Sequence, residues 1–258
     1  MLNYRNTNII FLVLFALLLV LSFFVMVDWY WFLVLFGFRF SILLVGSFWI
    51  QFNFHVNAYC SNSLETQKKI ALTFDDGPSE NTLLILDLLK KNGVKATFFC
   101  VGKNIETHQK IFKRIIAEGH IIGNHSYSHS HFFDFYGKKQ VITEIEKTDN
   151  LIVSILGKKP TLFRPPYGVT NPAIRKALFD TKHKTVGWNI RSLDGVIKNE
   201  KLIFNRIIKR LSPGGIVLLH DTSKQTINVL EQFLLFLQNN NYTVVSLEQL
   251  LNIEAYES

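Results

Sequence analysis

From Lys69 onward, short apolar runs alternate with amphipathic stretches, and this alternation constrains the fold more than any other feature of the 258-residue chain. The amphipathic stretches that precede Gly93, Gly119 and Gly157 each end at that glycine, which is a typical helix stop. The predicted strands are 70–74, 96–101, 120–123, 161–163, 184–188, 215–219 and 243–246. Repeated strand–helix units predict a parallel barrel or a doubly wound sheet.

Two polar clusters follow predicted strands directly. Asp75 and Asp76 come after the first strand, and His125 and His129 come after the third. Taken singly, an Asp-Asp-Gly-Pro segment is an ordinary turn and two histidines four apart are an ordinary coincidence. Together, one carboxylate and two imidazoles can hold a divalent ion, and the second carboxylate can deprotonate a water molecule.

Three further polar clusters lie at the ends of later predicted strands. They are Arg164–Gly168, Arg191–Asp194 and the pair His220-Asp221. Each has a structural explanation by itself, as a rigid loop, a loop carboxylate or a hydrogen-bonded histidine. Because active sites of parallel α/β folds lie at the carboxyl ends of the strands, the five clusters together predict one active site.

The first 54 residues are almost wholly apolar. Ile9–Val27 has no charged residue and is long enough to span a bilayer, and Asp28–Trp31 has the aromatic residues of an interfacial turn. Phe32–Ile50 is interrupted by Arg39, so it is either a second span or a re-entrant or interfacial segment. The predicted organisation is a membrane anchor at 1–54, a linker at 55–67, a catalytic domain at 68–252 and a tail at 253–258.

The composition excludes two other classes of protein. The formal net charge is +8, but the basic residues are scattered rather than grouped into tracts that would bind nucleic acid. The two cysteines, Cys60 and Cys100, are too few for a disulfide framework or a cysteine zinc site, and Cys100 is predicted to be a core residue. We therefore expect no nucleic-acid partner. The sequence does not predict which oligomeric state the protein adopts.

In this order the clusters resemble the motifs of the polysaccharide deacetylase family, also called carbohydrate esterase family 4. The matching segments are Thr73–Pro78, His125–His129, Arg164–Gly168, Ser192–Asp194 and Leu218–His220. The resemblance covers roughly residues 68–252. It implies an α/β fold, a distorted and open (β/α) barrel with about seven parallel strands.

The resemblance also implies roles for the first clusters. Asp75 is expected to be the general base, and Arg164 is expected to keep it ionised. Asp76, His125 and His129 are expected to hold a divalent metal ion, with zinc favoured and cobalt or another divalent ion as alternatives.

For the later clusters, the resemblance implies that His220 is the general acid and that Asp194 raises its pKa. The backbone N–H of Tyr167 is expected to stabilise the oxyanion. The residues expected to contact the substrate are Leu218, Pro166 and Trp188. The chain departs from the family pattern at Arg191, where an aspartate is common, and at Gly195, where a tryptophan is common.

These features predict a membrane-anchored, metal-dependent hydrolase that removes N-acetyl groups from an N-acetylglucosamine-type polysaccharide. Its expected partners are the glycan substrate and, through residues 1–54, membrane lipid, with the catalytic domain outside the cytoplasm. Two alternatives remain, an O-acetyl polysaccharide esterase and a catalytically weak glycan-binding homologue. A glycosidase is disfavoured. Its two carboxylates should lie roughly 5–10 Å apart on either side of one bond, whereas Asp75 and Asp76 are neighbours in the sequence.

Overall fold

The computed structural model describes residues 3–257, which form a parallel, curled sheet with helices packed on it and two apolar helices at the N-terminus. Eight strands follow the order β1-β6-β5-β4-β3-β2-β8-β7, and β9 pairs with the start of β2. The strands are β1 (Ala58–Tyr59), β2 (Lys69–Asp75), β3 (Thr97–Cys100), β4 (Ile121–Asn124), β5 (Leu162–Phe163), β6 (Lys184–Val186), β7 (Ile190–Arg191), β8 (Gly215–His220) and β9 (Thr243–Val244). This open, curled α/β sheet confirms the predicted fold class.

The helices connect successive strands, and three of them end just before Gly93, Gly119 and Gly157, as predicted. They are α1 (Tyr4–Phe24), α2 (Tyr30–Phe48), α3 (Glu80–Lys91), α4 (Gly102–Thr107), α5 (Gln109–Ala117), α6 (Lys138–Leu156), α7 (Pro172–Thr181), α8 (Glu200–Arg210), α9 (Lys224–Asn239) and α10 (Leu247–Leu251). Helix α7 begins with Pro172 after Asn171, whose side chain accepts a hydrogen bond from the backbone N–H of Ile174. Helix α6 ends at Gly157, which has a left-handed φ of 76°.

The period-2 alternation along β2 sorts its side chains between the two faces of the sheet. Ile70, Leu72 and Phe74 pack with the helices in the largest core cluster. Ala71 packs in a second cluster on the opposite face, together with Ile216 and Leu218 of β8. Because alternate residues share a face, this second face also receives Asp75 and His220, at the ends of their strands.

Two strands were not predicted. Strand β1 pairs with β6 and lies within residues 55–67, which were expected to be a linker, and β7 pairs with β8. Each has only two residues, so neither shows the periodic pattern on which a strand prediction depends. The expected tail also packs on the domain, since the Tyr256 hydroxyl accepts a hydrogen bond from the backbone N–H of Ile122.

Helices α1 and α2 form an antiparallel hairpin with aromatic contacts along its length, for example between Phe11 and Phe36. Both helices are long and apolar enough to cross a membrane. Arg39, the charged residue within α2, donates a 3.0 Å hydrogen bond to the Asn8 side chain and lies over the Phe11 ring. The second apolar segment is therefore one continuous helix whose cation has a partner on the first.

The chain beyond α2 packs directly on the sheet. Ile50 is 4% exposed and belongs to the same core cluster as Val186 and Trp188. The Gln51 side chain donates a 2.7 Å hydrogen bond to the backbone carbonyl of Trp188. Residues just after the hairpin are thus part of the folded domain.

We expect a chain starting at Trp49 to be more stable than one starting at Ser63, which lacks Ile50 and β1. Burying an isoleucine contributes about 1.5–3 kcal/mol, so the shorter chain should unfold about 5 °C lower. Thermal unfolding followed by circular dichroism measures the difference. In the longer chain, Ile50→Ala should reproduce most of the loss and the half-exposed Phe52→Ala should not; equal midpoints for the two chains would contradict the prediction.

Candidate active site

The polar clusters predicted from the sequence converge at the carboxyl ends of the strands. Asp75 ends β2, and His220 ends β8 beside it, where the two residues are register partners. Arg164 directly follows β5 and reaches across the site to Asp75. The structure therefore brings together side chains that lie up to 145 residues apart in the sequence.

Arg164 is fully buried, and its side chain donates hydrogen bonds to residues in or just past strands β2 and β6. One nitrogen, Nη1, donates to Asp75 Oδ1 at 2.6 Å and to Thr73 Oγ1 at 2.8 Å. Nε and Nη2 donate to the backbone carbonyls of Val186 and Gly187. Because Asp75 is only 3% exposed, this ion pair gives the carboxylate a counter-charge that water cannot supply.

Asp76, His125 and His129 form a compact group of candidate metal ligands, whose ligand atoms lie within 4.8 Å of one another. Asp76 Oδ1 is 3.4 Å from His125 Nε2 and 3.3 Å from His129 Nε2. Ligands at about 2.0–2.1 Å around a tetrahedral ion are about 3.3–3.4 Å apart, so the three residues fit a metal ion. Oxygen and imidazole ligands suit Zn²⁺ or Co²⁺.

The surroundings of this group also favour metal binding. His125 Nδ1 donates to the backbone carbonyl of Arg164 at 2.7 Å, which leaves Nε2 free to act as a ligand. Burial, with the neighbouring His125, lowers the pKa of His129 to about 4, so its imidazole is neutral at neutral pH. Asp76 and His129 remain partly exposed, and the group is open to solvent on that side.

His220 and Asp194 form a second pair opposite the metal ligands. Asp194 accepts hydrogen bonds from His220 Nδ1 at 2.6 Å and from the His220 backbone N–H at 2.7 Å. Burial alone would lower the pKa of His220, but the bond and charge of Asp194, with the carboxylates of Asp75 and Asp76, raise it to about 9. His220 is therefore an imidazolium at neutral pH, able to donate a proton from Nε2.

Strained backbone is concentrated in the loops that carry these residues. Non-glycine residues with a left-handed φ include Asp76 (76°), Ser126 (64°), His129 (46°), Tyr167 (58°) and Leu193 (63°). Such conformations cost about 1–3 kcal/mol each and persist only where the surroundings enforce them. Their location just past β2, β4, β5 and β7 marks this end of the sheet as functional.

Residues expected to contact the substrate surround the same opening. The Tyr167 ring lies 4.8 Å from the ring of His129, and Trp188 lines the same groove as Tyr167. Pro166, Leu218 and Trp188 are buried. Trp188 packs against the Arg164 guanidinium. A side-chain carbon on Gly195 would lie 3.7 Å from His220 Nδ1, so the absence of a side chain there widens the space beside His220.

Asp221 belongs to a predicted cluster, but no role was predicted for it from the sequence. It is buried, it accepts a 2.6 Å hydrogen bond from Thr82 Oγ1, and it occupies the space that a side chain on Gly77 would need. It therefore fixes the turn that follows Asp76. Its position beside His220 was the only signal in the sequence.

Glu144, on α6, was also missed. It accepts hydrogen bonds from the backbone N–H groups of Tyr127 and Ser128, between the two histidines. Its single carboxylate thus shapes the loop that carries both imidazoles. An acidic residue on an amphipathic helix gives no sequence signal for such a role.

Metal-dependent hydrolases combine a carboxylate base, residues that hold a metal ion and a proton donor, and this site has a buried carboxylate paired with an arginine, a three-residue group able to hold a metal ion and a histidine bonded to a carboxylate. The family model for polysaccharide deacetylase matches residues 63–186. The peptidoglycan-N-acetylmuramic acid deacetylase PdaA of Bacillus subtilis is 34% identical over 200 residues, 75% of this chain and 74% of PdaA. The chain belongs to the polysaccharide deacetylase family.

Two other relatives show the extent of the similarity. The peptidoglycan-N-acetylglucosamine deacetylase PgdA of Listeria monocytogenes is 34% identical over 187 residues, which cover 72% of this chain and 39% of PgdA. The chain thus spans about two fifths of the length of that relative. A crystal structure of the Bc1960 peptidoglycan N-acetylglucosamine deacetylase is similar with a TM-score of 0.72 and 32% identity, covering 78% of this chain and 95% of that chain.

We expect Arg164→Met to destabilise the fold by about 3–5 kcal/mol, because it leaves the Asp75 carboxylate buried without its counter-charge. Urea unfolding in detergent measures the loss. The matched control is Lys176→Met on the exposed face of α7, which should change stability by less than about 0.5 kcal/mol. Similar stabilities for the two variants would show that Asp75 finds another partner.

Proposed function

We propose that the protein is a metal-dependent hydrolase that removes N-acetyl groups from a peptidoglycan-type or other N-acetylated glycan. The observation that carries this proposal is the arrangement of Asp75, held by Arg164, between the Asp76–His125–His129 group and the Asp194–His220 pair. Such a site places a carboxylate that can act as a base beside a group that can hold a metal ion and beside a histidine that can act as an acid.

The first part of the reaction needs a base close to the water that attacks the acetyl carbon. Asp76, His125 and His129 would hold the divalent ion, with zinc proposed, and a bound ion lowers the pKa of water and polarises a carbonyl. Asp75 would accept the proton of the attacking water on Oδ2, since Oδ1 is bonded to Arg164. The Arg164 guanidinium bonds Oδ1 and so holds the Asp75 carboxylate in place with Oδ2 free for this step.

The second part of the reaction needs an acid, because an amine leaves only after it is protonated. His220 would donate its Nε2 proton to the leaving nitrogen, and Asp194 stabilises the imidazolium until then. The backbone N–H of Tyr167 would donate to the oxyanion that forms on the acetyl carbonyl. Leu218, Pro166 and Trp188 would enclose the acetyl group and the sugar.

The presence of a histidine held by a carboxylate as a proton donor favours amide over ester cleavage. An ester releases an alcohol, which needs less help from an acid than an amine does. The Asp194–His220 pair therefore supports N-deacetylation over the O-acetyl esterase activity that the same metal site could catalyse.

The test is acetate release from peptidoglycan, N-acetylglucosamine oligomers and acetylxylan, with and without a chelator. We expect release from the N-acetylated substrates, its loss on chelation and its recovery with Zn²⁺ or Co²⁺. Release from acetylxylan alone would replace the proposal with an esterase. No release from any substrate by metal-loaded protein would leave a glycan-binding homologue.

Asparagine variants separate the two aspartates. Asp75→Asn should lose more than about 100-fold in kcat while retaining bound metal, since it removes only the base. Asp76→Asn should lower metal content itself, measured by elemental analysis after dialysis. The reverse pattern would show that the base and the ligand are exchanged.

The pH dependence of kcat/KM tests the acid. His220 acts while protonated, so activity should fall as the pH rises through its pKa. Asp194→Asn removes the charge that raises this pKa, and the fall should then begin at lower pH than in the wild type. Ser192→Ala, which removes one hydrogen bond to Asp194 and leaves its charge, is the control and should shift the curve less. An unmoved curve in Asp194→Asn would exclude His220 as the titrating acid.

We further propose that α1 and α2 both cross the cell membrane and that the catalytic domain faces outward. Support comes from their length, their exposed apolar surfaces and the bond between Arg39 and Asn8 within the hairpin. If both helices cross the membrane, the N-terminus and the catalytic domain lie on the same side of it. The turn between the helices contains no lysine or arginine, so the positions of basic residues do not support this orientation. We propose it because such glycans lie outside the cytoplasm.

Cysteine labelling tests the orientation. Cys60 is a poor reporter, because burial raises the pKa of its thiol to about 11. Leu64 is 87% exposed, so Leu64→Cys should react with a membrane-impermeant maleimide in intact cells. Reaction only after permeabilisation would place the domain in the cytoplasm, and wild-type protein supplies the background.

A further inference from the structure

A groove of about 800 Å³ leads from the candidate active site toward the end of the helical hairpin. At the active-site end, its walls include Tyr167 and Trp188. At the other end they include Phe48, Trp49 and Ile50, where α2 ends. One continuous groove thus joins the candidate catalytic residues to the segment nearest the proposed membrane.

Three arginines also line this groove, Arg191 after β7 and Arg206 and Arg210 on α8. Arg206 Nε donates a 2.9 Å hydrogen bond to the backbone carbonyl of Arg191, which holds two of the three together. Burial and the charges of Arg210 and Arg191 lower the pKa of Arg206 from its ordinary value. The guanidinium groups therefore repel one another in the structure as it stands.

No carboxylate compensates this cluster at ion-pair distance. Within residues 3–257, none of the three arginines forms a salt bridge. Asp134 and His131 line the same groove, and His131 Nδ1 is hydrogen-bonded to the hydroxyl of Tyr167. An anion bound between the arginines would remove their mutual repulsion.

Phosphate suits this cluster, because the planar guanidinium donates two parallel hydrogen bonds to a pair of phosphate oxygens. The groove beside the arginines is aromatic and apolar at its α2 end, where a hydrocarbon chain would be accommodated. The Gln51 hydrogen bond to the Trp188 carbonyl fixes this wall against the active site. The lining of the groove thus combines residues of the candidate active site, a cationic cluster and the apolar residues at the end of α2.

We propose that Arg191, Arg206 and Arg210 form a subsite for the phosphate of a glycan joined through that phosphate to a membrane lipid. The proposal rests on the proposed deacetylase function and names its substrate class. The N-acetylated sugar would lie at Tyr167 and Trp188, the phosphate at the arginines, and the first part of the lipid chain against Phe48 and Trp49. With α2 in the membrane, this lipid would enter the groove from the bilayer.

The test uses the full-length, metal-loaded protein in neutral phosphatidylcholine vesicles. One N-acetylglucosamine disaccharide is supplied in three forms: free, as its 1-phosphate, and as a phosphate diester of a short isoprenoid alcohol. We expect kcat/KM for the lipid-linked form to exceed that of the free disaccharide by at least about tenfold, as a charge-assisted contact of 1.5–3 kcal/mol implies. The soluble phosphate should show a smaller gain.

Arg191→Gln and Arg210→Gln should each remove most of this gain, mainly through KM. Lys209→Gln, which removes an exposed positive charge from the same helix outside the groove, is the matched control and should preserve it. The loss of the gain should be larger for the lipid-linked form than any change for the free disaccharide. Circular dichroism of each variant confirms that α8 remains folded.

Each of the other outcomes would contradict one part of the proposal. Equal kcat/KM for the free and phosphorylated forms, with acetate still released, would exclude the phosphate subsite and leave the deacetylase function standing. An equal gain for the soluble phosphate would exclude the lipid. Binding of each variant to phosphatidylglycerol vesicles is measured in parallel. Arginine variants that lose this binding but keep the gain for the lipid-linked form would instead show docking on lipid headgroups. No hydrolysis of any form would overturn the proposed function and this inference with it.

Discussion

The buried contact between Arg164 and Asp75 is the interaction on which the rest of the site depends. Arg164 is the largest fully buried side chain, and its donors reach Asp75 and Thr73 on β2 and carbonyls at and just past the end of β6. Its own backbone carbonyl orients His125. One residue thus supplies the counter-charge of the proposed base and orients a proposed metal ligand. Because burying an ion pair contributes little net stability, we interpret its retention as a requirement of function.

The sequence predicted the parts of the fold that have a local signal. Strand β2 and helices α6 and α7 have apolar periodicity and clear caps, so their existence and type follow from the residues themselves. The proximity of Asp76, His125 and His129 could also be predicted, because they follow apolar strands and such strand ends meet at one edge of a parallel sheet. The family membership confirms that this reasoning identified the correct class of protein.

Features that depend on contacts between distant segments could not be predicted. The strands β1 and β7 are stabilised by their neighbours β6 and β8 and have no pattern of their own. The role of Asp221 depends on the missing side chain at Gly77, some 144 residues away. Likewise, Arg191 and Arg210 are ordinary basic residues in the sequence, and only the packing of α8 beside β7 places them in one groove.

Ile50 and Gln51, which pack on the sheet two and three residues beyond α2, leave almost no tether between the hairpin and the domain. A domain on a flexible linker can search a volume whose radius is set by the length of the linker. With α2 in the bilayer, this domain would instead be held at one height and one orientation and would search a thin layer parallel to the membrane. Glycan strands farther from the membrane would lie outside its reach. Each strand would then be modified only during the time that it is close to the membrane.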